Sequence, residues 1–116
     1  MKLNIGYFAD GPWSFKAFNK LIKDPNIKIS FICGRFKTKD KTLKKYSKKY
    51  KIDYLEHKNV NSKLFISKIA KYNCNLLVSM SFDQIFKKDI TNLTKHKIIN
   101  CHAGKLPFYR GRNILN

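Results

Sequence analysis

Five short apolar runs, each set off from the next by a turn and a stretch of helical spacing, constrain this chain more than any other feature. Leu3–Ala9, Ile27–Cys33, 52–55, Leu76–Met80 and Ile98–Cys101 read as strands. After the first, Asp10-Gly11-Pro12 turns the chain, and Pro12 suits the first helical position with Asp10 or Gly11 as cap. Trp13, Ala17, Phe18, Leu21 and Ile22 then form an apolar helical stripe, which Asp24-Pro25-Asn26 ends. A second helix is expected over 39–50, with Leu43, Tyr46 and Tyr50 on one face and lysine on the rest. Asn61 can cap a third over 61–72, with Phe65, Ile66, Ile69 and Ala70 inward, and a short fourth is expected over 88–93. Strands alternating with helices require right-handed crossovers and a parallel sheet, so the expected fold is a doubly wound α/β domain. Leu76–Met80, apolar but for Ser79, suits a central strand. Binding sites in such sheets lie at the carboxyl ends of the strands, where Asp10-Gly11, residues 81–84 and Asn100 with His102 converge.

The 116 residues make one domain at most. Hydrophobic residues at 43% and aromatics at 14% are enough for a core and argue against disorder. No apolar run reaches the roughly 20 residues of a membrane span, and the N-terminus enters a strand directly without a signal-peptide pattern, so a cytoplasmic protein is expected. Lys and Arg number 25 against 7 Asp and Glu, a formal charge of +18. That excess fits a nucleic-acid partner, but the lysines are spread over the whole chain and few of the charges are Arg. A diffuse pattern of this kind reads as a solvated surface rather than a binding stripe. Cys33, Cys74 and Cys101 are far apart, as befits reduced thiols, and no metal site is expected. The glycine turn after the first strand lacks both G-x-G-x-x-G and a P-loop, so a nucleotide fingerprint is not supported.

The chemistry-bearing stretch is 98–111. An apolar strand delivers Asn100 and His102 at a spacing of two, hence on one face, with Cys101 on the other. That alternation argues against a Cys101–His102 nucleophile pair. An amide donor and an imidazole aimed into one crevice suit acyl chemistry: the Asn N–H holds an oxygen gaining negative charge, and the His stabilises it or moves a proton. Gly104, Leu106-Pro107 and Tyr109-Arg110-Gly111 then open a loop. His57 and His96 lack a partner pattern and read as surface residues.

Asn100-Cys101-His102 followed by Leu106-Pro107 and Tyr109-Arg110-Gly111 resembles the signature of the folate-dependent formyltransferases, whose members act on methionyl-tRNA, on glycinamide ribonucleotide or on amino sugars. Gly104 and Lys105 depart from the Ser-Leu usual in that loop. The resemblance implies a Rossmann-like formyltransferase fold and transfer of a formyl group from 10-formyltetrahydrofolate to a primary amine, either methionyl-tRNA or a nucleotide-linked amino sugar. It implies that Asn100 and His102 are catalytic, stabilising the tetrahedral oxyanion and assisting proton movement. It implies also that the loop after the fourth strand, with Phe82, Gln84, Ile85 and Phe86, lines the pterin pocket. Packing of Phe82 and Ile85 into an ordinary core is the competing reading of that loop, and the neighbouring Asn100-x-His102 favours the pocket.

The family uses a third catalytic residue, an aspartate beyond the Tyr-Arg-Gly loop, for which Asp53, Asp83 and Asp89 are no match. The expectation is therefore an N-terminal portion, 1–116, of a formyltransferase domain incomplete at its C-terminus. Its exposed sheet edge would favour self-association. The alternatives are an inactive truncated fragment that keeps the fold, and a basic nucleic-acid-binding module.

Overall fold

The computed structural model describes residues 2–101, so His102 and the 104–111 part of the signature lie outside the described residues. The elements alternate in chain order: β1 (Leu3–Ala9), α1 (Pro12–Lys23), β2 (Ile27–Cys33), α2 (Thr42–Tyr50), β3 (Asp53–Leu55), α3 (Lys63–Ala70), β4 (Leu76–Met80), α4 (Lys88–Thr91) and β5 (Ile98–Cys101). The strands form one sheet in the order β3-β2-β1-β4-β5, and every pairing is parallel. The chain steps outward from β1 to β3, then crosses back to β4 beside β1. The strand order therefore reverses between β1 and β4.

Each face of the sheet carries its own core. Ile5, Tyr7, Ala9, Ile29 and Ile32 face one way, against Phe18 of α1 and Leu43 of α2. Phe8, Phe31, Cys33 and Leu77 face the other, against Phe65 and Ile69 of α3 and Ile90 of α4. With helices on both faces, the middle strands are apolar on both sides, which explains their near-continuous hydrophobic runs. The Tyr7 hydroxyl, buried in the first layer, donates to the Ser14 carbonyl at 2.8 Å, and burial raises its pKa.

The second layer is built on aromatic rings. Phe8 meets Phe31, Phe65, Phe82 and Phe86 edge-on, with centroids 5.5, 6.2, 5.5 and 5.0 Å away. Gly6 makes this possible. Phe31 lies across it so closely that a Cβ there would stand 2.3 Å from the ring's Cζ. The β1–β2 ladder runs from Leu3↔Ile27 to Ile5↔Ile29, then resumes at Gly6↔Phe31, leaving Ser30 unpaired as a bulge. Ser30 spends its hydroxyl on Asn4 Oδ1.

Some element details differ from expectation. Trp13 is not on the buried stripe but 56% exposed, with Lys16 over its ring. The inward side is set by Ser14, Phe15, Phe18, Leu21 and Ile22. At 100° per residue Trp13 lies about 140° from Phe18, away from the sheet. The second helix begins at Thr42 rather than 39, because Asp40 Oδ1 accepts the Thr42 N–H at 3.0 Å and so closes the turn ahead of it. The same bond holds the Asp40 carboxyl below its usual range. The cap of α3 is Ser62, whose side chain accepts the Phe65 N–H, and not Asn61. Among the described residues, no helix is long and apolar enough to cross a membrane.

Candidate functional site at the carboxyl ends of the strands

Strand register places the candidate residues. Asn100 pairs with Ser79, Ser79 with Phe8, Phe8 with Cys33, and Cys33 with Leu55. Partners across a parallel ladder share a face, so Asn100 projects on the aromatic side of the sheet. Phe8 is two strands away, roughly 10 Å between backbones. Asn100 is exposed at the end of β5. Cys101 lies on the opposite face, in the row of Met80 and Ala9. Burial pushes its thiol pKa up, which leaves little thiolate for nucleophilic chemistry.

All three cysteines are free. Burial also raises Cys74, to about 11, and raises Cys33, helped by the charges of Glu56 and Asp83. A raised pKa keeps each thiol protonated at neutral pH. Alkylation by iodoacetamide at pH 7.5, read by mass spectrometry on the folded protein, is therefore expected to be slow at all three and slowest at Cys33. Rapid labelling of Cys101 would restore it as a candidate nucleophile.

The loop after β4 begins with Ser81 in the left-handed region, at φ 56. Such a conformation costs a non-glycine residue roughly 1–2 kcal/mol and persists where the surroundings enforce it. Arg35, just past β2, supplies that enforcement: its Nε and Nη2 both donate to the Ser81 carbonyl, at 3.1 and 2.6 Å. Farther along, Gln84 Oε1 accepts the Val60 N–H at 2.9 Å and its Nε2 donates to the His57 carbonyl at 2.8 Å. Asn61 Nδ2 donates to the Ile85 carbonyl and its Oδ1 accepts the Lys87 N–H, both at 2.7 Å. Glu56 accepts the Lys37 N–H and the Tyr54 hydroxyl, at 2.9 and 2.8 Å. Loops from three strand ends are thus stitched together by side chains that reach backbone groups.

Within this frame the expected pocket residues take different roles. Phe82 and Phe86 stack at 5.7 Å and an interplanar angle of 27°, with both rings against Phe8. Ile85 is 81% exposed, so it does not belong to the core. The Gln84 side-chain amide is committed at both ends to the neighbouring loop. His57 is half-buried against the Phe65 ring and accepts the Asn59 N–H, so it is less of a surface residue than expected, whereas His96 is exposed. Arg35 carried no sequence signal and Asn61 was legible only as a helix cap, because both act on residues more than twenty positions away.

Asp10 closes β1 at the point where the strand order reverses. It is buried, and its Oδ1 accepts the Gly11 N–H at 2.8 Å. Its Oδ2 has no partner among the described residues. Gly11 caps α1 with φ 84, a conformation suited to glycine. On the far side of the sheet edge a groove of about 640 Å³ runs between α2 and β3. Lys41, Lys44, Lys48 and Lys51 line it, but Asp53 and Glu56 line it too, so it is not a uniformly cationic track. No group of three or more His, Cys, Asp or Glu among the described residues is placed to hold a metal ion.

A doubly wound parallel sheet with an exposed amide donor and an aromatic-backed loop at its carboxyl end defines the class: a Rossmann-like α/β domain with its crevice beside the reversal of strand order. No family model matches the chain. Individual proteins do. It is 28% identical over 123 residues to methionyl-tRNA formyltransferase of Finegoldia magna, across 100% of this chain and 40% of that protein. It is 29% identical over 121 residues to the enzyme of the same name from Clostridium botulinum, across 98% of this chain and 39% of that one. The bifunctional polymyxin resistance protein ArnA of Wigglesworthia glossinidia brevipalpis is 33% identical over 75 residues, 65% of this chain and 12% of that protein. The fold matches that of glycinamide ribonucleotide transformylase 1 from Symbiobacterium toebii, with a TM-score of 0.71 at 13% identity over 96% of this chain and 56% of that one. These relatives, together with the shared fold, support a formyltransferase family for the chain. It spans about 40% of the length of the methionyl-tRNA formyltransferases it matches first.

Proposed function

We propose that this stretch forms part of the catalytic domain of an N-formyltransferase that moves a formyl group from 10-formyltetrahydrofolate to a primary amine. The observation that carries the reading is a resemblance to methionyl-tRNA formyltransferase running the full length of the chain. Methionyl-tRNA is accordingly the leading acceptor. A nucleotide-linked amino sugar is the second, supported by the shorter match to ArnA.

The residues present fit a folate. The stacked Phe82–Phe86 pair and exposed Ile85 offer apolar surface to a flat heteroaromatic ring, and the loop's main chain offers hydrogen bonds along it. The donor supplies the one-carbon unit when bound. Asn100, presented at the end of β5, donates its amide N–H to the oxygen that gains negative charge as the amine adds. His102, two residues on in the sequence, moves the proton released from the amine.

The test is an assay of the protein carrying this sequence. Formyl transfer from 10-formyltetrahydrofolate is measured by mass spectrometry against charged initiator tRNA and a panel of nucleotide amino sugars. Formylation of one acceptor is expected. Absence of transfer to every amine offered would refute the reading.

A further inference from the structure

We infer that Arg35 is a positioning residue for the loop 82–86 and, through that loop, for the formyl donor; the second part rests on the proposed function above. The loop is held at two places. Gln84 and Asn61 anchor its far end to the segment between β3 and α3. Its near end hangs on Ser81, whose left-handed backbone turns the chain out of β4 and toward Phe82. The two bonds from Arg35 to the Ser81 carbonyl fix that turn. They come from one planar guanidinium, so they set the direction of the carbonyl as well as its position. The span between the anchors, Phe82 and Asp83, then has one course across the crevice, with the Phe82 ring against Phe8 and Phe86.

Arg35 touches no reacting atom in this account. Its effect reaches the donor through the shape of the loop. Lysine offers a point charge in place of the fork and recovers part of the effect, while alanine recovers none.

Two measurements on Arg35→Ala and Arg35→Lys separate the possibilities. In the ligand-free protein, hydrogen exchange of amides 82–86 is expected to quicken at least tenfold in Arg35→Ala and less in Arg35→Lys, with β1 and β2 amides unchanged. In steady-state assays, the KM for 10-formyltetrahydrofolate is expected to rise about tenfold in Arg35→Ala and about threefold in Arg35→Lys, with kcat and the acceptor KM within about twofold. A general loss of folding would lower kcat through the active fraction and leave the donor KM alone. Unchanged exchange at 82–86 would overturn the positioning role outright. Quickened exchange with an unchanged donor KM would overturn its link to the donor. Titration of the wild-type protein with 5-formyltetrahydrofolate, a stable isomer of the donor, keeps the two readings apart. Absence of binding there, with exchange quickened by Arg35→Ala, refutes the folate reading and upholds the loop clamp.

Discussion

Replacing Asn100 by Ala is expected to lower kcat for formyl transfer by roughly 10²–10³-fold, the usual cost of losing one oxyanion donor. The KM values for donor and acceptor should move far less, because the bond strengthens only as charge develops on the oxygen. The side chain is well placed for this. It stands exposed at the carboxyl end of β5, and Ser79, its partner in the ladder, is buried beside it and offers no substitute at the surface. Steady-state kinetics on the Asn100→Ala protein decides the matter. A loss under tenfold, or one carried wholly by KM, would remove Asn100 from the chemistry and leave it a surface residue at a strand end.

The largest loss of stability is expected at Phe8. Its ring is fully buried and meets four other aromatic rings, so Phe8→Ala opens a cavity that its rigid neighbours fill poorly. Large-to-small changes of this kind cost about 3–5 kcal/mol. Urea denaturation followed by circular dichroism would show the midpoint fall with little change in slope. A loss below about 1 kcal/mol would mean that the aromatic layer collapses around the gap and is not the close-packed unit described above. Two of the four rings, Phe82 and Phe86, belong to the candidate donor loop. Phe8→Ala should therefore weaken donor binding as well, an effect visible in mild conditions where the protein stays folded.

The strands were legible because a sheet covered on both faces writes itself as apolar runs, and four of the five were bounded as expected. Pro12 and the Asp24-Pro25 break marked both ends of α1 for equally local reasons. Trp13 misled because size and hydrophobicity say nothing about angle, and the inward side was set by Ser14 and Phe15 instead. The candidate site was legible only where the chain is locally patterned. Strand alternation was enough to put Asn100 and Cys101 on opposite faces. The commitments of Gln84, Asn61 and Arg35 could not be read this way. Each is a polar side chain bonded to backbone twenty-four or more residues away, and such pairings leave no period in the sequence.

The unpaired Ser30 has a consequence for how this sheet tolerates change in length. Because the ladder passes directly from Ile29 to Phe31 on the β1 side, the residue between them is a spacer whose removal keeps every later side chain in phase. Ile32 would still point toward α1, Phe31 and Cys33 would still point toward α3, and Arg35 would reach Ser81 from the same place. A deletion anywhere else in β2 would turn half the strand inside out. The strand therefore holds a single point of slack, and homologous chains one residue shorter there can present the same crevice.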